Sequence, residues 1–437
     1  MNVRFGFFVG VGIMVLLESG CEQKSVGPAT FRGAVDKSDI VGKGVVDQND
    51  QVAVDVFIDA TISMKGFSTV AGVTTTVMDL FLEDLESAVL TSWKSSDLKY
   101  FKFGTMVREV LRPEFLQAKE TGFYNEPGIR EKTNIDSVID RTDPKRVSIV
   151  ITDLFQTDGD ASLIVRRIKE RCFRRGIQLG IVGIPGDYEG VVYDTKVPPY
   201  TYKSSPNQPE TYRPFYMLVF GDEANIAHLF DTFKSRPYLR SGGMIVISQF
   251  VVSDFAVKLD KEKGDRAISM LQVRDVTTPY RFSASLNDRN AEVKLSVAVS
   301  YQARPWAPEV NTDQLKLEVL RQNISTGKVK DTSVTLSTDI KIAQGTGQPN
   351  SFRGTLVYKV SNPGRNQSYQ CKLYAPAIDG FNLPKWVSAF SSSDPRPDTD
   401  ANKTINLDRF VMDLLKTNAT IHTVNIGKFY LDIRNTK

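Results

Sequence analysis

Residues 52–67 read VAVDVFIDATISMKGF, and the reading of this stretch decides the fold. Its first half, 52–59, is rich in valine and ends on an acidic residue at the start of a loop, which predicts a strand. Residues 74–93 follow with Val77, Leu80, Phe81, Leu85, Val89 and Leu90 on one helical stripe. LKYFKFG (98–104) alternates as a strand, KTNIDSVID (132–140) predicts a short helix, and RVSIVITDLF (146–155) is a continuous apolar strand of the kind buried on both faces. A helix over 161–175, the strand IQLGIVGIP (177–185), a Pro/Tyr/Ser-rich loop over 186–212, the strand FYMLVFG (215–221), a helix over 223–234 and the strand MIVISQFVV (244–252) continue the alternation. This rhythm predicts an α/β unit over residues 51–253, with a doubly wound, mostly parallel, Rossmann-like sheet and helices on both faces.

Past residue 253 the pattern changes. YRFSASL, AEVKLSVAVSY, QLKLEVLR, SVTLSTDIKIA, FRGTLVYKV and SYQCKLYA recur between 280 and 375, separated by Asn/Asp/Gly/Pro turns. Helical periodicity nearly vanishes, so residues 254–385 are expected to form an all-β, sandwich-like domain. Residues 386–437 form a C-terminal extension with a short helix over LDRFVMDLLK (407–416) and one or two strands. Whether the extension completes the β domain stays open at this level.

The length supports this division. A chain of 437 residues exceeds the roughly 250–300 at which single cores stop growing. Its hydrophobic content of 41% and charged content of 24% are ordinary for a folded chain. A net charge of +4 over this length gives no reason to expect nucleic acid as a partner. The basic residues Arg166, Arg167, Lys169, Arg171, Arg174 and Arg175 interleave with Leu163, Ile164, Ile168 and Phe173 at helical spacing, which reads as a solvated helix face.

The N-terminus has its own logic. Arg4 precedes an apolar run from Phe5 to Leu17, too short to span a bilayer as a helix, which reads as the core of a signal peptide over residues 1–21. Leu17-Glu18-Ser19-Gly20-Cys21 resembles the bacterial lipoprotein signal, with Glu18 where a small apolar residue is usual. That resemblance implies lipidation of Cys21 and a membrane tether at the cell envelope. Residues 22–50 are polar and rich in small residues, and are expected to be a flexible leash. The other cysteines, Cys172 and Cys371, are far apart in sequence and are expected as two free buried thiols, with a disulfide as the alternative.

The chemistry concentrates just past the first core strand. Asp59, Thr61 and Ser63 place one carboxylate and two hydroxyls at alternate positions of a loop. Oxygen donors at that spacing suit a hard cation, and open α/β sheets put their ligands beyond the carboxyl ends of the strands. These residues, followed by Met64 and Gly66, resemble the metal-ion-dependent adhesion site of von Willebrand factor A domains, whose motif is Asp-x-Ser-x-Ser. That resemblance covers about residues 50–253. It implies a further threonine and aspartate from later loops, which Thr133, opening a helix, and Asp153, ending a buried strand, match in order and rough spacing. Thr61 stands where serine is usual, keeping the hydroxyl but adding a stiffening methyl. The resemblance implies one divalent ion, magnesium first and manganese or calcium as alternatives, held by Asp59, Thr61, Ser63, Thr133 and Asp153. It also implies a protein partner whose carboxylate completes the ion's shell. The other reading is a related fold in which these residues serve only as turn and cap residues.

Enzyme signatures are sparse. The two histidines, His228 and His422, are isolated, and no Walker loop, Gly-x-Ser-x-Gly elbow or His-Glu-x-x-His occurs. Tyr200, Tyr202 and Tyr212 give the 186–212 loop an aromatic surface, read first as packing on its own domain and otherwise as a contact for a partner. The sequence thus predicts a non-enzymatic, membrane-tethered binding protein, with no small-molecule cofactor. The alternatives are a metal-dependent hydrolase and a metal-free structural component of an envelope, secretion or defence assembly.

Overall fold

The computed structural model describes residues 37–42, 51–155, 161–193, 198–261, 268–271, 280–285, 292–322, 334–359, 366–393 and 400–436. After a single helical turn, α1 (Ser38–Val41), the chain enters β1 (Gln51–Asp59), the strand on which the α/β unit is organised. Because side chains alternate across a strand, Val54, Val56 and Ile58 enter one buried cluster and Phe57 the other. Asp55 shares the strand without disrupting it, since Arg146 grips its two carboxylate oxygens at 2.6 and 2.8 Å.

Next comes α2 (Val77–Ser92), started by a capping box in which Thr76 and Asp79 satisfy each other's backbone N–H groups. Its stripe of Met78, Phe81, Leu82, Leu85, Ala88 and Val89 is buried. The hairpin β2 (Ser95–Phe103) and β3 (Val107–Val110), the short helices α3 (Arg112–Leu116) and α4 (Ile135–Ile139), and β4 (Arg146–Thr152) follow. After α5 (Ala161–Arg171) come β5 (Gln178–Gly186), a small hairpin of β6 (Glu189–Val192) and β7 (Tyr200–Lys203), then β8 (Arg213–Gly221), α6 (Glu223–Phe233) and β9 (Gly243–Ile247). The hairpin lies inside the stretch 186–212 expected as a loop and, among the described residues, forms a two-stranded sheet of its own.

The seven-stranded sheet runs β3-β2-β1-β4-β8-β5-β9. Phe81 and Leu85 of α2 and Ile226 and Phe230 of α6 cover one face, while Ile135 and Val138 of α4 and Ile164 and Ile168 of α5 cover the other. The α/β class and the two covered faces agree with the sequence, but the strand directions do not. Only β1–β2 and β1–β4 pair in parallel; β2–β3, β4–β8, β5–β8 and β5–β9 are antiparallel. The sheet is therefore mixed, where a mostly parallel one is expected. A strand buried on both faces reads as a continuous apolar run in either direction, so β8 and β9 carry no mark of their polarity.

The β part begins with β10 (Val252–Lys261), β11 (Ile268–Leu271), β12 (Tyr280–Ser285) and β13 (Glu292–Ala303), whose alternate residues Val293, Leu295, Val297 and Val299 are buried. It continues through β14 (Glu309–Val310), β15 (Lys316–Gln322), β16 (Val334–Leu336), β17 (Ile340–Gln348), β18 (Ser351–Lys359), β19 (Asn366–Ala375) and β20 (Phe381–Asn382). Two larger sheets result, β10-β13-β18-β17 and a six-stranded one, and their inward residues join one apolar core.

The C-terminal extension belongs to both parts. In α7 (Lys385–Phe390), Trp386 lies over Gly183 and Gly243 of the α/β sheet. After the short β21 (Ser391–Ser392) and β22 (Thr404–Ile405), α8 (Leu407–Ile421) packs on α5 and β9. The final strand, β23 (Val424–Thr436), then enters the interior of the six-stranded sheet, between β12 and β19. The described residues of this extension, 386–393 and 400–436, are thus a clamp across the two parts rather than an appendage of the β domain.

Within the stretch 22–50, expected as a leash, residues 37–42 are ordered against the β part. Ile40 is buried, Asp39 receives Lys428 at 2.9 Å and Lys372 at 3.2 Å, and Arg304 donates to the Val41 carbonyl. One buried isoleucine with flanking ion pairs is enough to pin a short polar segment, a pattern too small to register as periodicity. We expect Ile40→Ala to cost about 2–4 kcal/mol by chemical denaturation. An unchanged midpoint would show that the segment adds nothing to stability. The expected signal peptide and Cys21 lie outside the described residues.

Candidate functional site

The site forms where β1 and β4 end side by side. The ladder that pairs Ile58 with Ile151 brings Asp59 level with Thr152, and the Ala60 N–H extends the sheet by donating to the Phe103 carbonyl at 2.7 Å. Asp59 is completely buried. Its Oδ1 accepts from the Thr61 N–H at 3.0 Å and from Thr61 Oγ1 at 2.6 Å, a side-chain turn that folds the loop back on itself. Its Oδ2 accepts from Thr152 Oγ1 at 3.0 Å.

Thr61 is the hub of the cluster. Its Oγ1 lies 3.2 Å from Ser63 Oγ and 3.0 Å from Thr133 Oγ1. Ser63 also lies close enough to the Asp153 carboxyl to lower its pKa. The five residues singled out from the sequence therefore meet in one buried network drawn from three separate loops. The Thr133 loop is tied to the first by the Ile62 N–H, which donates to the Arg130 carbonyl at 3.3 Å. Asp153 is held from behind by the Phe155 N–H at 3.0 Å. Between them Leu154 adopts φ +59°, a left-handed conformation that costs a leucine roughly 1 kcal/mol or more. Strain of this kind persists only where the surroundings fix it.

Burial, then the neighbouring Asp153 charge, pushes the Asp59 carboxyl up to about 7, against the opposing hydrogen bonds from Thr61 and Thr152. Burial likewise raises Asp153, while the Arg213 guanidinium, the Phe155 N–H and Ser63 pull it down. Two carboxylates and three hydroxyls in a buried space make an acceptor-rich cluster. The donor set, all oxygen, suits a hard divalent cation such as magnesium, manganese or calcium. Among the described residues, no three His, Cys, Asp or Glu side chains gather as a metal-holding group; here hydroxyls make up the larger share of the donors.

The tail of the motif anchors the loop. Met64 and Phe67 are buried, and Phe67 meets Tyr188 and Phe215 edge-on at ring distances of 4.8 and 5.3 Å. Gly66 is required by this packing, because a Cβ there would stand 2.5 Å from the Tyr188 ring. Gly66→Ala should therefore cost about 1–3 kcal/mol through overpacking, measured by denaturant titration. A neutral effect would mean that the Tyr188 ring gives way freely.

Other residues marked from the sequence lie apart from the cluster. His228 Nε2 is 2.7 Å from the Ser92 carbonyl oxygen and His422 Nε2 is 2.8 Å from that of Phe173, so each ring bridges packed elements. Cys172 and Cys371 are free and buried. Tyr200 and Tyr202 lie on the β7 strand, where Tyr202 donates to the Thr211 carbonyl at 2.6 Å. Thr152 and Arg213 were not marked from the sequence. Thr152 was findable as the neighbour of Asp153 on a strand aligned with Asp59, whereas Arg213 depends on the unexpected placement of β8 beside β4.

No protein-family model matches this chain, and no curated protein matches it.

Proposed function

We propose that Asp59, Thr61, Ser63, Thr133 and Asp153 bind one divalent cation, magnesium foremost, and that the protein uses this ion to hold a partner protein through an acidic side chain. The observation that carries this reading is the convergence of the five side chains, from three loops, in one buried, acceptor-rich cluster. On this reading the α/β unit is a von Willebrand factor A-like module. Ser63, Thr61 and Thr133 offer hydroxyl oxygens to the ion, and Asp59 and Asp153 supply the compensating charge. The bound ion would supply an electrophilic centre for a carboxylate from outside. Ile62, exposed between Thr61 and Ser63, marks the side from which such a group approaches. The lipoprotein-like sequence ending at Cys21 supports display at the bacterial cell envelope.

Calorimetric titration with magnesium and manganese tests the ion, and Asp59→Ala is expected to abolish the heat. Absence of binding by the wild-type protein would sink the proposal. Recovery of a partner from native envelope, with and without chelator, tests the second half. A partner retained equally under both conditions would favour a metal-free scaffold.

A further inference from the structure

The sheet β10-β13-β18-β17 turns one face to the core and the other outward, because side chains alternate along each strand. Strand register arranges the outward positions in rows. Lys258 of β10 is aligned with Ala298 of β13, and Ala298 with Arg353 of β18. In another row Lys294 of β13 and Lys341 of β17 flank Val357 of β18. Lys359 stands opposite Glu292 at the end of the sheet.

All five cations are exposed, and none makes an ion pair or a side-chain hydrogen bond with another described residue. The described acids on the same face are Asp260 and Glu292, together with Asp254, whose charge is already met by Lys37. Five free cations against two free carboxylates leave an excess of three positive charges, on a chain whose total is only +4. A merely solvated face would mix the two signs more evenly. Short side chains such as Ala298 and Val357 lie between the long ones, so the cations stand above a low floor and can meet a planar surface together.

The N-terminal segment is pinned to the edge strand of this sheet. Lys37 Nζ donates to the Asp254 carboxylate and, at 2.8 Å, to the Phe255 carbonyl, both of β10, and Ile40 is buried. Sixteen residues separate Lys37 from Cys21, enough to span at most about 50–60 Å. The four strands are together only about 15 Å across. A lipid on Cys21 would therefore keep the whole face within reach of the bilayer.

We propose that the outer face of β10-β13-β18-β17 docks on the anionic phospholipid headgroups of the membrane that the Cys21 lipid enters, so that the protein is attached at two points. The lipid limits the distance from the bilayer, and the basic face sets which side of the β part lies against it. Each Lys or Arg held near an anionic bilayer strengthens binding by roughly 5-fold. The two-point attachment rests on the envelope tether proposed above; the charge of the face does not.

Vesicle sedimentation tests the face without the lipid. The chain from residue 22 onward keeps every described residue and lacks Cys21. It should bind vesicles containing about one-third phosphatidylglycerol at low salt, bind pure phosphatidylcholine vesicles far more weakly, and be released as salt shortens the screening length. Lys258→Gln combined with Arg353→Gln should weaken binding to the anionic vesicles by about 10- to 30-fold without lowering the melting temperature. Lys99→Gln combined with Arg166→Gln removes as many exposed cations from the α/β unit and should change it little. Lys258→Arg combined with Arg353→Lys keeps the charge and should bind like the wild type. No binding by the wild type, equal binding to both vesicles, or an equal loss in the two glutamine pairs would overturn the proposal. Retention by soluble polyphosphate but not by vesicles would overturn the membrane as the partner. Labelled palmitate supplied to cells making the full chain tests the tether separately. Failure to label Cys21 would overturn the two-point attachment even where the vesicles bind.

Discussion

Asp59→Asn is expected to make the ion-free protein more stable at about pH 8 while removing all stabilisation by magnesium. Asp59 has a carboxyl pKa raised to about 7 in the folded chain, chiefly by burial and secondarily by Asp153. In the unfolded chain an aspartate titrates near 3.9, so the folded state binds the extra proton over the interval between. Stability from this group is complete below about pH 4, falls as pH rises, and reaches its minimum above about pH 7. Asparagine keeps the shape and removes the charge, which flattens that dependence. Melting curves in chelator at about pH 5 and about pH 8 should show the variant gaining on the wild type more at the higher value, by roughly 2–4 °C for each kcal/mol recovered. Added magnesium should stabilise the wild type alone and so narrow the gap. A ligand at a hundred times its dissociation constant stabilises the native state by about 2.7 kcal/mol, available only to the chain that retains Asp59. A variant less stable than wild type at both pH values would show that the Asp59 charge is already compensated within the protein.

The residues of the cluster were legible in the sequence because loop chemistry is local. Asp59, Thr61 and Ser63 are adjacent on one loop, and Thr133 and Asp153 each sit at the end of an element that periodicity alone locates. What binds them into a network is also local: Asp59 folds its own loop through Thr61 two residues on. Strand direction was not legible, since Phe215–Phe220 is apolar whichever way it runs. Arg213 was hidden for the same reason. At the head of an apolar strand it looks like an ordinary flanking cation, and only the antiparallel insertion of β8 beside β4 brings it to Asp153.

The domain boundaries show the same limit at larger scale. The rhythm of elements separates an α/β stretch from a β stretch within about two residues of where β10 begins at Val252. It does not reveal that the extension returns to both. An amphipathic helix records in its sequence that one face is buried, but not against what. Leu407, Phe410, Val411, Leu414 and Leu415 form such a face, and their partners are α5 and β9, more than 150 residues away in sequence.

Ending the chain after residue 393 should therefore abolish folding rather than trim it. The truncation removes α8, and with it five buried side chains worth about 1.5–3 kcal/mol each, a sum comparable with the roughly 5–15 kcal/mol that stabilises a typical domain. It also removes β23, leaving β12 and β19 as two unpaired edges where the six-stranded sheet had an interior strand. Arg213 would lose the Ala401 and Lys403 carbonyls in the same step. For the same reasons residues 51–253 alone, though domain-sized, should give a soluble yield far below that of the full chain and no cooperative thermal transition by circular dichroism. Leu414→Asp in the full chain is the milder probe. It places a charge in the contact between α8 and the α/β sheet and should cost several kcal/mol while leaving every strand in place. A cooperative melt from residues 51–253 would show that the α/β unit closes its core without α8, and that the clamp joins two parts each able to stand alone.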